Sequence, residues 1–211
     1  MRILELFCGT KSIGKVGKAR GHDVFSSDIM PKFNADYTVD ILEFDLSELP
    51  WKPDMIWASP PCTYFSVASI GTHWNKDNTP KTERAVVGCK IVESVLDIIR
   101  GLNPAVYYIE NPRGKLRKLD FMQSLPIRNT VTYCQYGDTR MKPTDIWTNN
   151  EQWTPRPMCR SGASCHESAP RGSSTGTQGI KGNMNRSVIP HELCEEIIIS
   201  AENKMRSMKH V

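Results

Sequence analysis

One cysteine of this sequence lies at a position that favours a role in catalysis over a role in core packing. Cys62 follows Ser59, Pro60 and Pro61, which come directly after a short apolar segment. The two prolines cannot continue a strand, so they redirect the chain and present one thiol beyond the strand end. A thiolate is a good nucleophile, and nearby positive charge would lower the pKa of the thiol. We therefore predict that Cys62 is a nucleophile, with burial as a structural cysteine as the alternative.

A carboxylate ends a second apolar segment. Glu110 follows the apolar residues 106–109 and precedes Asn111 and Pro112. Burial would raise the pKa of this carboxyl group and let it share a proton with a substrate, whereas capping of backbone N–H groups is the alternative role. If the two segments are neighbouring strands, the thiol of Cys62 and the carboxyl group of Glu110 would converge on one substrate ring.

Both segments belong to a series of alternating strands and helices. The predicted strands span residues 2–7, 22–28, 37–40, 54–58, 105–109, 130–136 and 145–148, and the predicted helices run to about residue 20, over 82–102 and from about 190. This alternation predicts an α/β fold, with a mostly parallel central sheet and helices on both faces. Ligands of such folds bind beyond the carboxyl ends of the strands, so these strand ends should form one rim.

Two other strand ends carry residues suited to a nucleoside. Gly9, after the first strand, lets the backbone come close to a ligand, and Asp28, at the end of the second, can accept hydrogen bonds from ribose hydroxyls. A tight turn and a capping aspartate would explain the two residues equally well. The rim is therefore a candidate site for a nucleoside-bearing cofactor.

Composition limits the class of protein. The 211 residues are 39% hydrophobic and 24% charged, and no apolar run approaches the roughly 20 residues of a membrane span, so we expect a soluble protein without a membrane partner. No secretory signal or lipidation motif is visible, and we expect a cytoplasmic location with reduced cysteines. Lysine and arginine (27) exceed aspartate and glutamate (23), which permits an anionic partner without requiring one.

The motifs, taken in order, resemble those of the DNA (cytosine-5) methyltransferases, which use S-adenosyl-L-methionine. Residues 4–9 with Ser12, Ile13 and Gly14 resemble the first cofactor motif, and residues 60–66 resemble the catalytic motif. Residues 110–112 resemble the Glu-Asn-Val motif with proline for valine, 136–142 loosely resemble the Arg-rich segment, and 185–188 resemble the closing segment. The order is kept from Phe7 to Val188, so the resemblance covers nearly the whole chain.

This resemblance implies a Rossmann-like methyltransferase fold and a covalent mechanism. Cys62 would add to carbon 6 of cytosine, which makes carbon 5 nucleophilic enough to take a methyl group, while Glu110 would hydrogen-bond the ring nitrogen and the exocyclic amine. Arg140 and Lys142 complete the implied catalytic set. The implied partner is duplex DNA from which the target cytosine is flipped. Basic residues of the rim loops, such as Arg140, Lys142, Arg156 and Arg171, are candidates for contacts with its phosphates, with a solvated surface position as the alternative for each.

The resemblance also implies which residues hold S-adenosyl-L-methionine. Asp28 would bind the ribose, and Asp40 with Ile41 would meet the adenine. The implied cofactor set consists of Phe7, Cys8, Gly9, Thr10, Ser12, Ile13, Asp28, Ile29, Asp40, Ile41, Ser59, Pro60, Asn185, Ser187 and Val188.

The chain differs from the family in the segment that should read the target sequence. We expect a catalytic and cofactor-binding α/β domain over residues 1–148, a loop-rich insert over 149–184 as a reduced target-recognition region, and a closing segment with a helix over 185–211 that packs back on the first domain. The insert can hardly fold alone without a staple. Thr144 stands where the Arg-rich motif has its second arginine. A compact member of this kind would suit a bacterial or phage-infected cell.

Two other functions stay open. The missing recognition domain favours a catalytically weak DNA-binding or partner-dependent module that keeps the fold, whereas the intact catalytic residues argue against it. Alternatively, the methyl group goes to another cytosine acceptor, RNA or a nucleotide, because a small protein without a reading domain need not hold a duplex.

The insert and the strand before it contain residue types that bind zinc. Cys134, Cys159, Cys165 and His166 could form a mixed tetrahedral set. Their spacing is not that of a standard finger, and two adjacent residues are awkward ligands for one ion. We therefore predict no metal site, with these four residues as the zinc candidates.

Overall fold

A seven-stranded sheet lies at the centre of the computed structural model, which describes residues 1–167 and 183–208. Its strands are β1 (Arg2–Leu6), β2 (Asp23–Asp28), β3 (Tyr37–Thr38), β4 (Met55–Ala58), β5 (Val106–Pro112), β6 (Ile127–Thr132) and β7 (Pro143–Thr148). They lie in the order β3-β2-β1-β4-β5-β7-β6. Six of these strands run in the same direction, and β7, between β5 and β6, runs in the opposite direction. The predicted α/β fold with a mostly parallel sheet is confirmed.

Helices cover both faces of the sheet. The α-helices are α1 (Ser12–Ala19), α2 (Ile70–His73), α3 (Glu83–Leu102), α4 (Asp120–Gln123), α5 (Asn183–Ser187) and α6 (His191–Met208). Short 3-10 helices lie at Pro31–Phe33, Ile41–Glu43, Leu46–Glu48, Val67–Ser69, Leu116–Lys118 and Tyr133–Tyr136. Within the two described stretches, none of the helices combines the length and the hydropathy that crossing a membrane requires.

Alternation along the strands builds one core on each face. Successive side chains of β1 point in opposite directions, so Leu4 joins the same core as Val95 of α3, and Ile3 joins the same core as Ile197 of α6. Because helices close both faces, a ligand can reach the sheet only at the ends of its strands.

The register of the strands brings four strand ends to one level. Leu6 pairs with Ser27 on one side and with Ala58 on the other, and Ala58 pairs in turn with Ile109. The residues that follow these positions lie side by side at one rim of the sheet: Phe7, Asp28, Ser59 and Glu110.

Several predicted strands have different bounds. β3 ends at Thr38 rather than at residue 40, β5 continues beyond residue 109 to Pro112, and β7 begins at Pro143 rather than at residue 145. We predicted a strand over residues 130–136, but β6 ends at Thr132 and the chain continues as the 3-10 helix Tyr133–Tyr136. The N–H of Tyr133 donates to the carbonyl oxygen of Met141 at 2.8 Å, so the backbone folds back here. The tyrosine side chains of this turn are buried, and this apolar character is what made the segment resemble a buried strand.

The described residues at the start of the insert have no helix or strand, whereas its last two residues, 183 and 184, begin α5. Residues 151–167 form turns and irregular chain. The start of the insert is anchored by the buried Asn150, whose side-chain amide donates to the hydroxyl groups of Tyr108 and Ser200 at 2.8 Å each. Arg171 and the rest of residues 168–182 lie outside the described residues.

Candidate active site

The loop after β4 is held by the end of β5. The side-chain amide of Asn111 donates to the carbonyl oxygen of Pro60 at 2.9 Å. Gly114 lies so close to the loop that a Cβ atom there would come within 2.2 Å of the Phe65 carbonyl oxygen. These contacts hold the loop near both of its ends and place Cys62 between them.

Aromatic packing supports the same loop. The buried Phe65 ring lies 5.9 Å from the ring of Trp74, and the indole N–H of Trp74 donates to the carbonyl oxygen of Tyr64 at 2.7 Å. Gly88 of α3 leaves room for Tyr64, since a Cβ atom there would come within 2.9 Å of the tyrosine ring. The long helix therefore helps to position the loop that carries Cys62.

Glu110 is a buried residue of β5, two positions before the strand ends at Pro112, and accepts a hydrogen bond from a tyrosine. The hydroxyl group of Tyr133 donates to Glu110 Oε1 at 3.0 Å. Burial and the negative charge of Glu110 raise the pKa of Tyr133 well above its usual value, so the hydroxyl group keeps its proton and acts as the donor. Tyr133 follows β6, which runs in the same direction as β5 and ends at the same rim.

A lysine reaches the rim by another route. Lys142 directly precedes β7, and because β7 is antiparallel, its first residues lie beside the end of β5. The Lys142 ammonium group donates to the carbonyl oxygen of Arg186 at 3.0 Å and lies 4.6 Å from the centre of the Tyr133 ring. Burial lowers the pKa of Lys142, while the charges of Glu110 and Cys62 act in the opposite direction.

The thiol of Cys62 lies among groups of opposite charge. Burial raises its pKa and the carboxylate of Glu110 raises it further, while the cationic groups of Lys142 and Arg186 lower it. The net direction is upward, so at neutral pH the group is a thiol rather than a thiolate. A ligand that neutralises Glu110 would lower the pKa of Cys62 and make it more reactive.

Arg140 does not face the open rim, contrary to its expected role as a catalytic residue and phosphate contact. It is 3% exposed and forms an ion pair with Asp138. Its Nη1 and Nη2 atoms also donate to the backbone carbonyls of Asn185, Arg186 and Val188, at 3.0 to 3.1 Å. Every N–H of the guanidinium group is thus used inside the protein. Arg140 positions the closing segment.

Arg156 is likewise engaged in internal contacts. Its guanidinium group donates to the carbonyl oxygen of Gln135 at 2.7 Å and pairs with Glu192 and Glu196 of α6. The expected phosphate contact does not match this placement, because two carboxylates already balance the charge. Arg171, also expected to contact phosphate, lies outside the described residues.

On the β1–β2 half of the rim, carboxylates hold backbone groups. Asp28 accepts hydrogen bonds from the N–H groups of Gly9 and Met30 at 3.0 and 2.9 Å. The buried Glu5 accepts from two N–H groups at the start of α1, at 3.1 Å each. Burial raises the pKa of Glu5 to about 7, and these two hydrogen bonds lower it only in part.

The loop between β1 and α1 is strained. Phe7, Gly9 and Lys11 all have positive φ, at 56°, 43° and 56°. Residues other than glycine rarely adopt this left-handed backbone conformation. The loop is therefore held by contacts with its neighbours, such as the hydrogen bond that the Cys8 N–H donates to the Ser27 carbonyl oxygen at 3.0 Å. Strain of this kind is common where a loop serves a ligand.

The apolar members of the expected cofactor set differ in exposure. Ile29 is 55% exposed next to Asp28, an open position for a large apolar side chain beside a hydrogen-bonding carboxylate. Cys8, Ile13 and Ile41 are buried, so their side chains contribute to packing. The combination of Asp28 and Ile29 fits a ligand with a polar sugar and an apolar base.

The polar members form local hydrogen bonds. The hydroxyl groups of Thr10 and Ser12 lie 2.9 Å apart, and Asp40 accepts from the N–H two residues further on at 3.1 Å. Ser59 accepts from the indole N–H of Trp57 at 2.7 Å. These bonds orient the side chains along the rim.

The closing segment joins the two halves of the rim. It includes Asn185, Ser187 and Val188 of the expected cofactor set. Arg140 holds it on the β7 side, as described above, and the Ile189 N–H donates to the hydroxyl group of Ser12 at 3.3 Å on the α1 side.

The four zinc candidates come together in the structure. Cys134, Cys159, Cys165 and His166 place one ligand atom each within 4.8 Å of the others. Cys165 Sγ and His166 Nδ1 are 3.7 Å apart, so the objection to two adjacent ligands is wrong. The chain turns sharply enough to aim both side chains at one point.

Several positioning residues of the site were not predicted. Asp138 stands two residues before Arg140, a spacing that could have indicated the pair. Asn111 belongs to the motif at residues 110–112, but the sequence does not indicate its hydrogen bond to the Pro60 carbonyl oxygen. Tyr133 carries no such signal, because its contact with Glu110 depends on how β6 and β5 are arranged across β7.

The sequence is 34% identical over 173 residues to a protein of Frog virus 3 (isolate Goorha) that bears the name DNA (cytosine-5)-methyltransferase. The similarity covers 78% of this chain and 78% of the viral protein. No protein-family model matches the chain.

Solved structures share the fold. A DNA modification methyltransferase encoded within an E. coli prophage superposes with a TM-score of 0.52, at 13% identity over 70% of this chain. The Entamoeba histolytica methyltransferase EhMeth superposes with a TM-score of 0.50, at 12% identity over 76% of this chain. The chain spans 46% and 57% of these two structures, about half of their length.

Proposed function

Because this chain belongs to the DNA (cytosine-5)-methyltransferase family, we propose that it transfers a methyl group to carbon 5 of cytosine in DNA. The family resemblance of the motifs is confirmed by the viral relative. The observation that carries the proposal is the meeting of Cys62, Glu110 and Lys142 at one rim, where their charges act on one another.

Cys62 supplies the nucleophile. Its thiolate bonds to carbon 6 of cytosine, and the electron pair of the double bond moves toward carbon 5, which then takes the methyl group. Carbon 5 then loses its proton to solvent, and the electron pair of that C–H bond re-forms the double bond as the Cys62 thiolate departs from carbon 6. When bound, S-adenosyl-L-methionine supplies the methyl group.

Glu110 holds the cytosine ring and controls the thiol. Its carboxyl group hydrogen-bonds the ring nitrogen and the exocyclic amine, and the hydroxyl group of Tyr133 keeps it in place. Before substrate binds, Glu110 raises the pKa of Cys62. The proton that leaves the Cys62 thiol is taken up between the Glu110 carboxylate and the ring nitrogen of cytosine. This uptake neutralises the carboxylate, so the thiol becomes reactive only when a cytosine is present.

Lys142 and Arg140 act in different ways. The Lys142 ammonium group favours the thiolate of Cys62 and balances charge that develops during addition. Arg140 is a positioning residue, because its donors hold the closing segment that Lys142 also contacts.

We propose the β1–β2 half of the rim as the site of S-adenosyl-L-methionine. Asp28 keeps acceptor capacity beyond its two hydrogen bonds and can receive the ribose hydroxyls. The exposed Ile29 supplies an apolar surface for the base, and the family resemblance adds Asp40 and Ile41 as further contacts of the adenine. The remaining members of the set named above lie in the loop before α1, at the start of α1, in the loop after β4 (Ser59 and Pro60) and in the closing segment.

Duplex DNA is the proposed partner. The target carbon is stacked inside the duplex, so the cytosine must be flipped out at a cost of a few kcal/mol that protein contacts offset. The segments 1–148, 149–184 and 185–211 would act as catalytic domain, reduced recognition region and closing segment. The insert has only 36 residues (149–184), which is short for a recognition domain, so we expect a short target site. A reactive thiol suits a reducing compartment such as the cytoplasm.

Labelled S-adenosyl-L-methionine tests the proposal. The full chain and Cys62→Ser are each incubated with duplex DNA, RNA and dCMP, and label in each acceptor is counted. We expect label in DNA with the natural chain and at least about a thousandfold less with Cys62→Ser, which replaces one sulfur by oxygen. DNA with fluorine at carbon 5 should form a stable adduct with Cys62, because the fluorine cannot leave as a proton does.

The other outcomes separate the alternatives. Label in RNA or dCMP but not in DNA would change the acceptor and keep the chemistry. Cofactor binding without label in any acceptor would favour a binding module over an enzyme.

A further inference from the structure

Three cysteines and a histidine outside the rim converge on one point. Cys134 lies in the 3-10 helix after β6, and Cys159, Cys165 and His166 lie in the described part of the insert. Their ligand atoms all lie within 4.8 Å of one another. The mechanism proposed above uses none of these side chains.

Four of the six separations between these ligand atoms lie between 3.1 and 3.7 Å, near the spacing of ligands around one zinc ion. Cys159 Sγ is 3.1 Å from Cys165 Sγ and 3.3 Å from His166 Nδ1. Cys165 Sγ is 3.7 Å from Cys134 Sγ and 3.7 Å from His166 Nδ1. Zinc bonds of about 2.3 Å to sulfur and about 2.0 Å to nitrogen place tetrahedral ligands about 3.5 to 3.8 Å apart. We propose that this cluster binds one Zn²⁺ ion.

The donor set indicates the metal and its role. Three thiolates and one imidazole are ligands that zinc prefers, and four protein ligands leave no position open for a substrate. The ion is therefore structural. A disulfide between Cys159 and Cys165 explains less, because their sulfur atoms are farther apart than the bond of about 2.05 Å. A disulfide would also not explain why Cys134 and His166 lie beside the same two sulfur atoms.

The ion would fasten the insert to the catalytic domain. Residues 151–167 have no helix or strand to hold them in place. The Cys159 N–H donates to the hydroxyl group of Thr132 at 2.8 Å, which already ties this part of the insert to the end of β6. Zinc would complete that attachment next to Tyr133, the residue that donates to Glu110.

A neighbouring side chain supports thiolate ligands. The side-chain amide of Gln135 donates to Cys165 Sγ at 3.4 Å. Hydrogen bonds to a ligating sulfur stabilise its negative charge and orient it toward the metal. Gln135 lies in the same 3-10 helix as Cys134, so one turn provides both a ligand and a supporting donor.

Metal content tests the proposal. The full chain, Cys159→Ser and Cys89→Ser are purified without chelator, and zinc is measured by elemental analysis. We expect about one zinc ion per chain in the natural protein and in Cys89→Ser, and at least about tenfold less in Cys159→Ser. Cys89 is a free, half-buried cysteine of α3 and controls for the loss of a thiol elsewhere.

Cobalt titration gives a second readout that needs no folded variant. The natural protein is stripped of metal and titrated with Co²⁺, which shows charge-transfer and visible bands when thiolates bind it tetrahedrally. We expect saturation at one equivalent and displacement by zinc. A natural chain that is metal-free as purified and gives no thiolate bands with Co²⁺ would overturn the proposal. So would iron in place of zinc, or a Cys159–Cys165 disulfide in freshly purified protein.

These measurements are independent of methyl transfer, because they need neither DNA nor cofactor. A metal-free chain that methylates DNA would overturn the zinc site alone. A zinc-bound chain that methylates nothing would overturn the proposed function alone.

Discussion

The two halves of the rim use their carboxylates differently. On the β1–β2 half, Glu5 and Asp28 accept hydrogen bonds from backbone N–H groups, so their charges hold the chain in place. On the β4–β5 half, Glu110 accepts from Tyr133 and raises the pKa of the Cys62 thiol. Charges on this half act on reactive groups.

This difference indicates what substitutions should do. A carboxylate that accepts hydrogen bonds from backbone N–H groups determines the shape of a loop and the affinity of a ligand for that loop. A carboxylate that acts on a nucleophile changes the rate of reaction. We therefore expect losses of turnover from the β4–β5 half, and changes in stability or cofactor affinity from the β1–β2 half.

Glu110→Gln should have the largest effect. The amide cannot share a proton with the cytosine ring, so we expect the methylation rate to fall about 100-fold to 1000-fold. Removal of the negative charge also lowers the pKa of Cys62, so alkylation of this thiol by iodoacetamide at neutral pH should become faster. Both rates are measured on the same preparation.

Asp28→Asn is the matched control, since it makes the same change on the other half. We expect weaker cofactor binding and an unchanged alkylation rate of Cys62. If Asp28→Asn and Glu110→Gln accelerated the alkylation of Cys62 equally, the carboxylates of the two halves would not differ in their effect on the thiol.

Lys142→Met should cause a smaller, pH-dependent loss. Without the ammonium group the pKa of Cys62 rises further, so the thiolate fraction falls at neutral pH. Below that pKa the thiolate fraction grows about tenfold per pH unit. We expect single-turnover methylation to fall about tenfold near neutral pH and to recover as the pH rises.

Lys142→Arg keeps the positive charge and should keep the pH profile close to that of the natural chain. A loss in Lys142→Met that is the same at every pH would point instead to the contact with the Arg186 carbonyl oxygen as the only role of this lysine.

Glu5 should affect stability rather than turnover. Its pKa is about 7 in the folded protein and 4.5 is its ordinary value. A raised pKa in the folded state stabilises below the ordinary value and loses this contribution as the pH rises through 7. We expect the free energy of unfolding of the natural chain to fall by about 3 kcal/mol relative to Glu5→Gln between pH 4.5 and 8.

Denaturant unfolding at several pH values measures this difference, and the comparison with Glu5→Gln removes the effect of other titrating groups. A difference that does not change with pH would mean that Glu5 titrates alike in the folded and unfolded chains. Glu5 would then resemble an exposed carboxylate despite its burial.

Local pattern was enough to determine the sheet and much of its rim. Apolar segments ended by Asp28 and by the prolines before Cys62 identified strand ends, which a parallel sheet places along one edge. The predicted end before Glu110 was wrong by three residues, because β5 continues to Pro112 in its pairing with β7. The helix over residues 82–102 followed from apolar spacing alone. These features depend on neighbours in the sequence, and so they can be read from it.

Tertiary structure alone decided which side chains meet across the chain. The antiparallel direction of β7 brings Lys142 to the rim, and the turn after β6 brings Tyr133 to Glu110. Arg140, expected at a substrate, is instead used up by carbonyls of a segment more than forty residues away. The four zinc candidates have irregular spacing and still share one point. Such contacts depend on loop paths and strand direction, which are set by packing of the whole chain rather than by any local period.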